Sequence, residues 1–80
     1  MNLDEAIRKR ITEILDEKKI SLTNLCLISN LTPSTVFDFM YKNTKTPNTI
    51  TIKKICYGAG ITLKDFYDRE YFNNFDDVVK

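Results

Sequence analysis

Histidine is missing from the 80-residue sequence, and cysteine occurs only twice. Without histidine the chain lacks the usual general base at neutral pH. Cys26 and Cys56 cannot supply the four ligands of a structural zinc site, and no imidazole completes the set. A disulfide between them is allowed by count but disfavoured in a reducing cytosol. Both fall in helical apolar patterns and read as small core residues. No apolar run approaches the roughly 20 residues of a membrane-spanning helix. Residues 1–10 mix acids and bases and contain no apolar signal core. The expected location is therefore cytoplasmic, with no membrane partner. A strong charge of either sign is missing as well. The formal net charge is +1, which is weak for a nucleic-acid binder, since phosphate neutralisation dominates such affinity. A nucleic-acid role must then rest on how the charges are distributed. No nucleophile–base pair, phosphate-cradling glycine loop or metal constellation is visible. That argues against an enzyme and leaves no cofactor or small-molecule ligand to expect. Internal repeats and low-complexity stretches are also lacking.

What is there is helical. A chain that is 42% hydrophobic and 29% charged has the composition of one folded domain, with a single modest core. Leu3, Ile7, Ile11, Ile14 and Leu15 recur at steps of three and four, which predicts a first helix over about 3–18. Asp4 and Glu5 at its start and Lys18 and Lys19 at its end suit the helix dipole. Ser21 is a good cap for a second, short helix over about 22–29, with Leu22, Leu25, Cys26 and Ser29 on its inner face. Asn30 tolerates the left-handed conformation that ends helices. Thr32-Pro33 then restarts one, predicted over about 33–41. Its inward positions are Val36, Phe39 and Met40; Ser34, Thr35, Phe37, Asp38 and Tyr41 point outward. The stretch 42–48 reads as a polar loop. A fourth helix is expected over 50–59, ended by Gly58 and Gly60, and a fifth over 63–67 with Leu63, Phe66 and Tyr67 in the core. Residues 69–80 form an apolar tail. Its Tyr71, Phe72, Phe75, Val78 and Val79 lie at helical spacing, enough for a short C-terminal helix, and too apolar to trail in water.

Two short helices joined by a tight turn, the second opened by Thr-Pro, fit the DNA-binding helix-turn-helix pair. Leu25, Cys26, Leu31, Val36 and Phe39 are the apolar anchors. A small residue at 26 permits close crossing, and Leu31 plugs the turn. On three segments the chain resembles the lambda-repressor-like, XRE/Cro-type helix-turn-helix regulators. These are RITEILDEKKIS (10–21), LCLISNLTPSTVFDFM (25–40) and TPNTITIKKICYGAGITLKDFY (46–67). The resemblance spans about residues 7–67. It implies an all-α, compact five-helix domain over 1–68, with the third helix reading the major groove of double-stranded operator DNA. It further implies that Thr32, Ser34, Thr35, Phe37 and Asp38 meet bases or adjacent phosphates. By the same resemblance Thr23 and Asn24 are expected to hold backbone phosphate, and Tyr41, Lys42 and Lys45 to grip the strand flanking the groove. The chain departs from the family at Leu22 and Pro33, where glutamine is frequent, and at Asn30, where glycine is usual. Without glutamine at 33, a bidentate contact to adenine is lost.

Each outward residue also has a plainer reading. Phe37 meets a thymine methyl, covers a partner, or packs on a neighbouring helix. Asp38 accepts from a cytosine amine or is a solvated acid. Arg8, Lys9 and Arg10 make a basic patch unless Asp4 and Glu13, at helical spacing, neutralise it. Two functions follow. One is a transcriptional regulator of the repressor kind, acting as a homodimer on a pseudo-palindrome, with 69–80 as a candidate self-association element. The other is a protein-interaction module on the same fold, an antitoxin or accessory factor with little DNA affinity, since fold alone does not decide function.

Overall fold

The computed structural model describes residues 1–42 and 46–73. Among them five α-helices and a 3₁₀ turn follow one another: α1 (Leu3–Lys18), α2 (Leu22–Ile28), α3 (Pro33–Lys42), α4 (Thr49–Ala59), α5 (Leu63–Tyr67) and the turn at Glu70–Asn73. No strand occurs among the described residues, so the expected all-α, five-helix architecture is the one found.

The helix starts follow from local chemistry. Asn2 and Glu5 form a reciprocal capping box on α1: the Asn2 side chain accepts from the Glu5 N–H, and the Glu5 carboxylate accepts from the Asn2 N–H. Two backbone donors that an isolated helix leaves orphaned are thereby satisfied. Ser21, Asn48 and Thr62 cap α2, α4 and α5 through the N–H groups of Asn24, Thr51 and Asp65. The helix ends share one device. Lys19 (φ 54°), Asn30 (φ 57°) and Gly60 (φ 72°) turn left-handed. The next residue's N–H then reaches back to a carbonyl: Ile20 to Leu15, Leu31 to Cys26, and Ile61 to Cys56. This is the Schellman reversal, which satisfies the last carbonyls as the chain turns away. Only Gly60 adopts it without a Cβ penalty. Helix α2 stops one residue short of the expected 22–29, with Ser29 as its cap. Helix α3 runs one residue past the expected 33–41.

One core unites the helices: Ile7, Ile11 and Ile14 of α1, Leu22, Leu25 and Cys26 of α2, Val36 and Phe39 of α3, Ile52, Ile55, Cys56 and Ala59 of α4, and Phe66 of α5. Leu31, expected as a buried plug, is only half-buried against it. Tyr67 is 40% and Leu3 46% exposed; Tyr67 ends its helix and Leu3 opens the first, where the core no longer reaches. Gly58 does not end α4 but lies within it. A Cβ built there meets Ser29 Oγ at 2.0 Å and Ser29 Cα at 3.1 Å. Glycine is needed because α2 and α4 touch at this point. The cost of ~1 kcal/mol for glycine in a helix is accepted to keep that contact.

Arg10 departs most from the expectation of a surface cation. It is 2% exposed. Its Nε donates to the Phe66 carbonyl at 2.8 Å and its Nη2 to the Asp65 carbonyl at 3.2 Å, so α1 caps the end of α5. Nη1 stands 3.7 and 3.8 Å from the carboxylates of Glu13 and Glu17. Arg69 reaches the same two acids. Tyr71 donates its phenol to Glu13 and lies under the Lys9 ammonium. Phe72 stacks on Phe66 and Tyr67. The start of the tail thus packs on α1 and α5 of its own chain. Phe75, Val78 and Val79 lie outside the described residues.

Candidate nucleic-acid interface

Helix α3 is set by what it buries. Val36 and Phe39 are each 1% exposed, and they pin one side of the helix to α2 and the core. The opposite stripe then has to face out: Ser34, Thr35, Tyr41 and Lys42 are exposed, and Asp38 is partly so. An arginine of α1 holds the same helix from behind. Arg8 Nε donates to the Phe39 carbonyl at 3.0 Å, and its guanidinium lies 4.6 Å from the centre of the Phe39 ring. That carbonyl belongs to the last turn of α3, where carbonyls lack intrahelical partners. Arg8 therefore fixes the depth and rotation of α3. With Arg8 and Arg10 turned inward and Lys9 over Tyr71, residues 8–10 do not form a free basic patch.

The expected site residues divide into groups. Thr23 and Asn24 are exposed on the first turn of α2, where the Asn24 N–H is already taken by Ser21 Oγ at 3.1 Å. Thr32, Ser34 and Thr35 are exposed at the turn and the start of α3. Phe37 is not outward: it is half-buried against the core, its ring 5.5 Å from that of Tyr41, which is 68% exposed. Phe37 is one position past Val36 and two before Phe39, and at 3.6 residues per turn it falls beside the buried stripe rather than opposite it. Asp38 and Lys42 form an i,i+4 ion pair at 3.5 Å. Lys42 is well exposed and Asp38 partly so, so the pair adds little stability but couples an acid to a base on the outer face. Lys45 lies outside the described residues. Lys53 and Lys54 are solvated on α4.

Two residues of consequence were missed in the sequence. Arg8 has no distinguishing signal there, since a flank arginine looks the same whether it meets water or a carbonyl 31 residues away. Asn48, which caps α4, was readable from its type and position before a helical run. Burial raises the titration of the Cys26 and Cys56 thiols, so both are suppressed as nucleophiles. No group of three or more metal-ligating side chains occurs among the described residues. No helix among them is long and apolar enough to cross a membrane.

A short helix anchored on a second one through a tight turn, with a polar outer face, defines a helix-turn-helix protein. The comparison with known families agrees. Residues 10–70 match the Cro/C1-type HTH DNA-binding domain, and the chain belongs to that family. Its fold is also that of a solved prophage protein, prophage Lp1 protein 11. The two share 25% identity at a TM-score of 0.80, over 91% of this chain and 96% of that one. No curated protein matches the chain.

Proposed function

We propose that the protein is a cytoplasmic, sequence-specific DNA-binding regulator of the repressor kind, with α3 entering the major groove of its operator. The observation that carries this is the polar stripe of α3, held outward by buried Val36 and Phe39 within a Cro/C1-type domain. In this reading Ser34, Thr35 and Asp38 meet bases. Thr23, Asn24, Thr32, Tyr41, Lys42 and Lys45 meet the backbone. Affinity is expected to be modest for a single module, and pairing two on a pseudo-palindrome multiplies it. Anisotropy titration against operator and random duplexes at two salt concentrations tests the reading. Thr35→Ala should erode preference for the operator. Lys45→Ala should weaken binding to every sequence and reduce the salt slope by about 1. No salt-dependent binding by the wild type to any duplex would defeat it.

The homodimer in this proposal uses residues 74–80, since Tyr71 and Phe72 already have partners in their own chain. Sedimentation of the full chain against one truncated after Asn73 separates the cases. A dimer that becomes a monomer supports it; two monomers at micromolar concentration reject it, and two dimers move the interface elsewhere. A second reading, a protein-interaction module, draws on the exposed Leu27, Ile28 and Tyr57, which flank the Ser29–Gly58 contact in sequence and are 64%, 53% and 82% exposed. Loss of all DNA binding in the titration, with Tyr57→Ala abolishing association with a partner, would favour it.

A further inference from the structure

The outer stripe of α3 has a centre. With 3.6 residues per turn, Ser34 lies one turn before Asp38 and Lys42 one turn after it, and Thr35 and Tyr41 flank it on either side. Asp38 therefore occupies the middle of the exposed face. Its chemistry is also the most restrictive there. The hydroxyls of Ser34, Thr35 and Tyr41 donate or accept and so discriminate poorly between base edges, and an ammonium only donates. A carboxylate only accepts. No arginine, asparagine or glutamine lies between Pro33 and Tyr41, so no bidentate reader of guanine or adenine competes with it on this helix.

Resting on the DNA-binding role proposed above, we infer that Asp38 determines the base preference of α3 by requiring a cytosine, read through its exocyclic amine, at the centre of each half-site. The major-groove donors are the amines of cytosine and adenine. Adenine sets its amine beside its own N7 acceptor, whose lone pair opposes a carboxylate, whereas cytosine carries no acceptor on its groove edge. Cytosine is thus the better partner. The ion pair with Lys42 at 3.5 Å completes the device. Both side chains reach solvent, Asp38 45% and Lys42 74% exposed, so the pair opens at little cost. On a matched site the carboxylate turns to the cytosine amine and Lys42 turns to phosphate. On unmatched DNA the carboxylate gains no partner and repels the backbone. Asp38 therefore lowers non-specific affinity while it supports specific affinity. This suits a chain of net charge +1.

The test is selection of bound duplexes from a randomised library by the wild type, Asp38→Asn and Asp38→Ala, in parallel. Because Asp38 reaches solvent and its ion pair with Lys42 is solvent-screened, both variants should keep the fold, which circular dichroism checks. The wild type should enrich a motif with one cytosine per half-site, favoured about ten-fold, as expected for a hydrogen bond to a charged group. In Asp38→Ala that position should become degenerate. In Asp38→Asn it should shift towards adenine, which an amide reads in bidentate fashion. The remaining positions should persist, and both variants should bind random duplex more tightly than the wild type. If both variants enrich the same cytosine as strongly as the wild type, the inference is overturned and the DNA-binding role stands. If the wild type enriches no motif, the DNA-reading role itself fails and the inference with it.

Discussion

Arg10 shows how one side chain can hold three elements at once. From the middle of α1 it caps the carbonyls of α5, and it draws Glu13 and Glu17 into reach of Arg69. Its side chain is 2% exposed, so truncation takes the buried donor from the Phe66 carbonyl and leaves Glu13 and Glu17 to Arg69 alone. Arg10→Ala should cost about 1–3 kcal/mol, the range for leaving a buried acceptor without its donor. Arg10→Met, which keeps the apolar stem against Phe66, should cost less. Urea midpoints of the two variants check this, and equal midpoints to the wild type would refute the capping role. From the sequence this residue reads as one of three consecutive cations. Nothing local distinguishes it, because its partners lie 55 and 56 residues away.

At the scale of elements, α2 and α4 meet closely where Ser29 faces Gly58. Ser29 is 2% exposed, its hydroxyl has no partner among the described residues, and it sits where a Cβ on residue 58 would go. Gly58→Ala gains ~1 kcal/mol of helix propensity but forces Ser29 to move. A backbone atom at 3.1 Å moves only with its helix, so overpacking of about 1–3 kcal/mol should win. Ser29→Ala removes a buried, unpaired hydroxyl and should be neutral or stabilising by about 1 kcal/mol. The double variant should recover part of the Gly58→Ala loss, since the 2.0 Å clash is with the hydroxyl oxygen. Thermal midpoints of the three proteins decide it, and strict additivity would show that the two residues do not share the contact. Because α3 stands on α2, loosening this crossing should also weaken DNA binding.

For the whole molecule, the groups with displaced titrations all point to alkaline sensitivity. Burial pushes the thiols of Cys26 and Cys56 and the phenol of Tyr67 upward. Burial first, and then the hydrogen bond and negative charge of Glu13, push Tyr71 far upward. In each case the fold favours the neutral form. The unfolded chain ionises these groups near their ordinary values, about 8.5 for cysteine and about 10 for tyrosine. Stability from them is therefore fully present below pH ~8.5 and is lost as pH rises through the folded values. Urea midpoints should be flat with respect to these groups from neutral pH to about 8.5 and fall above it. A midpoint that rises between pH 9 and 11 would contradict this. A thiol reagent should meanwhile modify Cys26 and Cys56 only at the rate at which the protein opens.

The sequence by itself determined the elements. Apolar residues at steps of three and four placed all five helices within a residue or so, because burying one stripe requires that spacing whatever the partner. Ser21, Asn30, Thr32-Pro33 and Gly60 marked their ends, because caps and left-handed turns act through neighbours in the chain. The order of those elements sufficed for the helix-turn-helix reading, and the residue types on α3 sufficed to nominate its outer face. Only the tertiary structure decided which of several equivalent-looking residues turn inward. Arg8 and Arg10 became internal clasps, Phe37 half-buried packing, Gly58 a helix contact rather than a helix end, and Tyr71 and Phe72 a cover for α1 and α5. Apart from Phe72, whose ring meets those of Phe66 and Tyr67 nearby in the chain, each depends on groups about 30 residues or more away, or on the depth of one helix against another. Those distances are fixed when the shared core closes, and no local pattern encodes them.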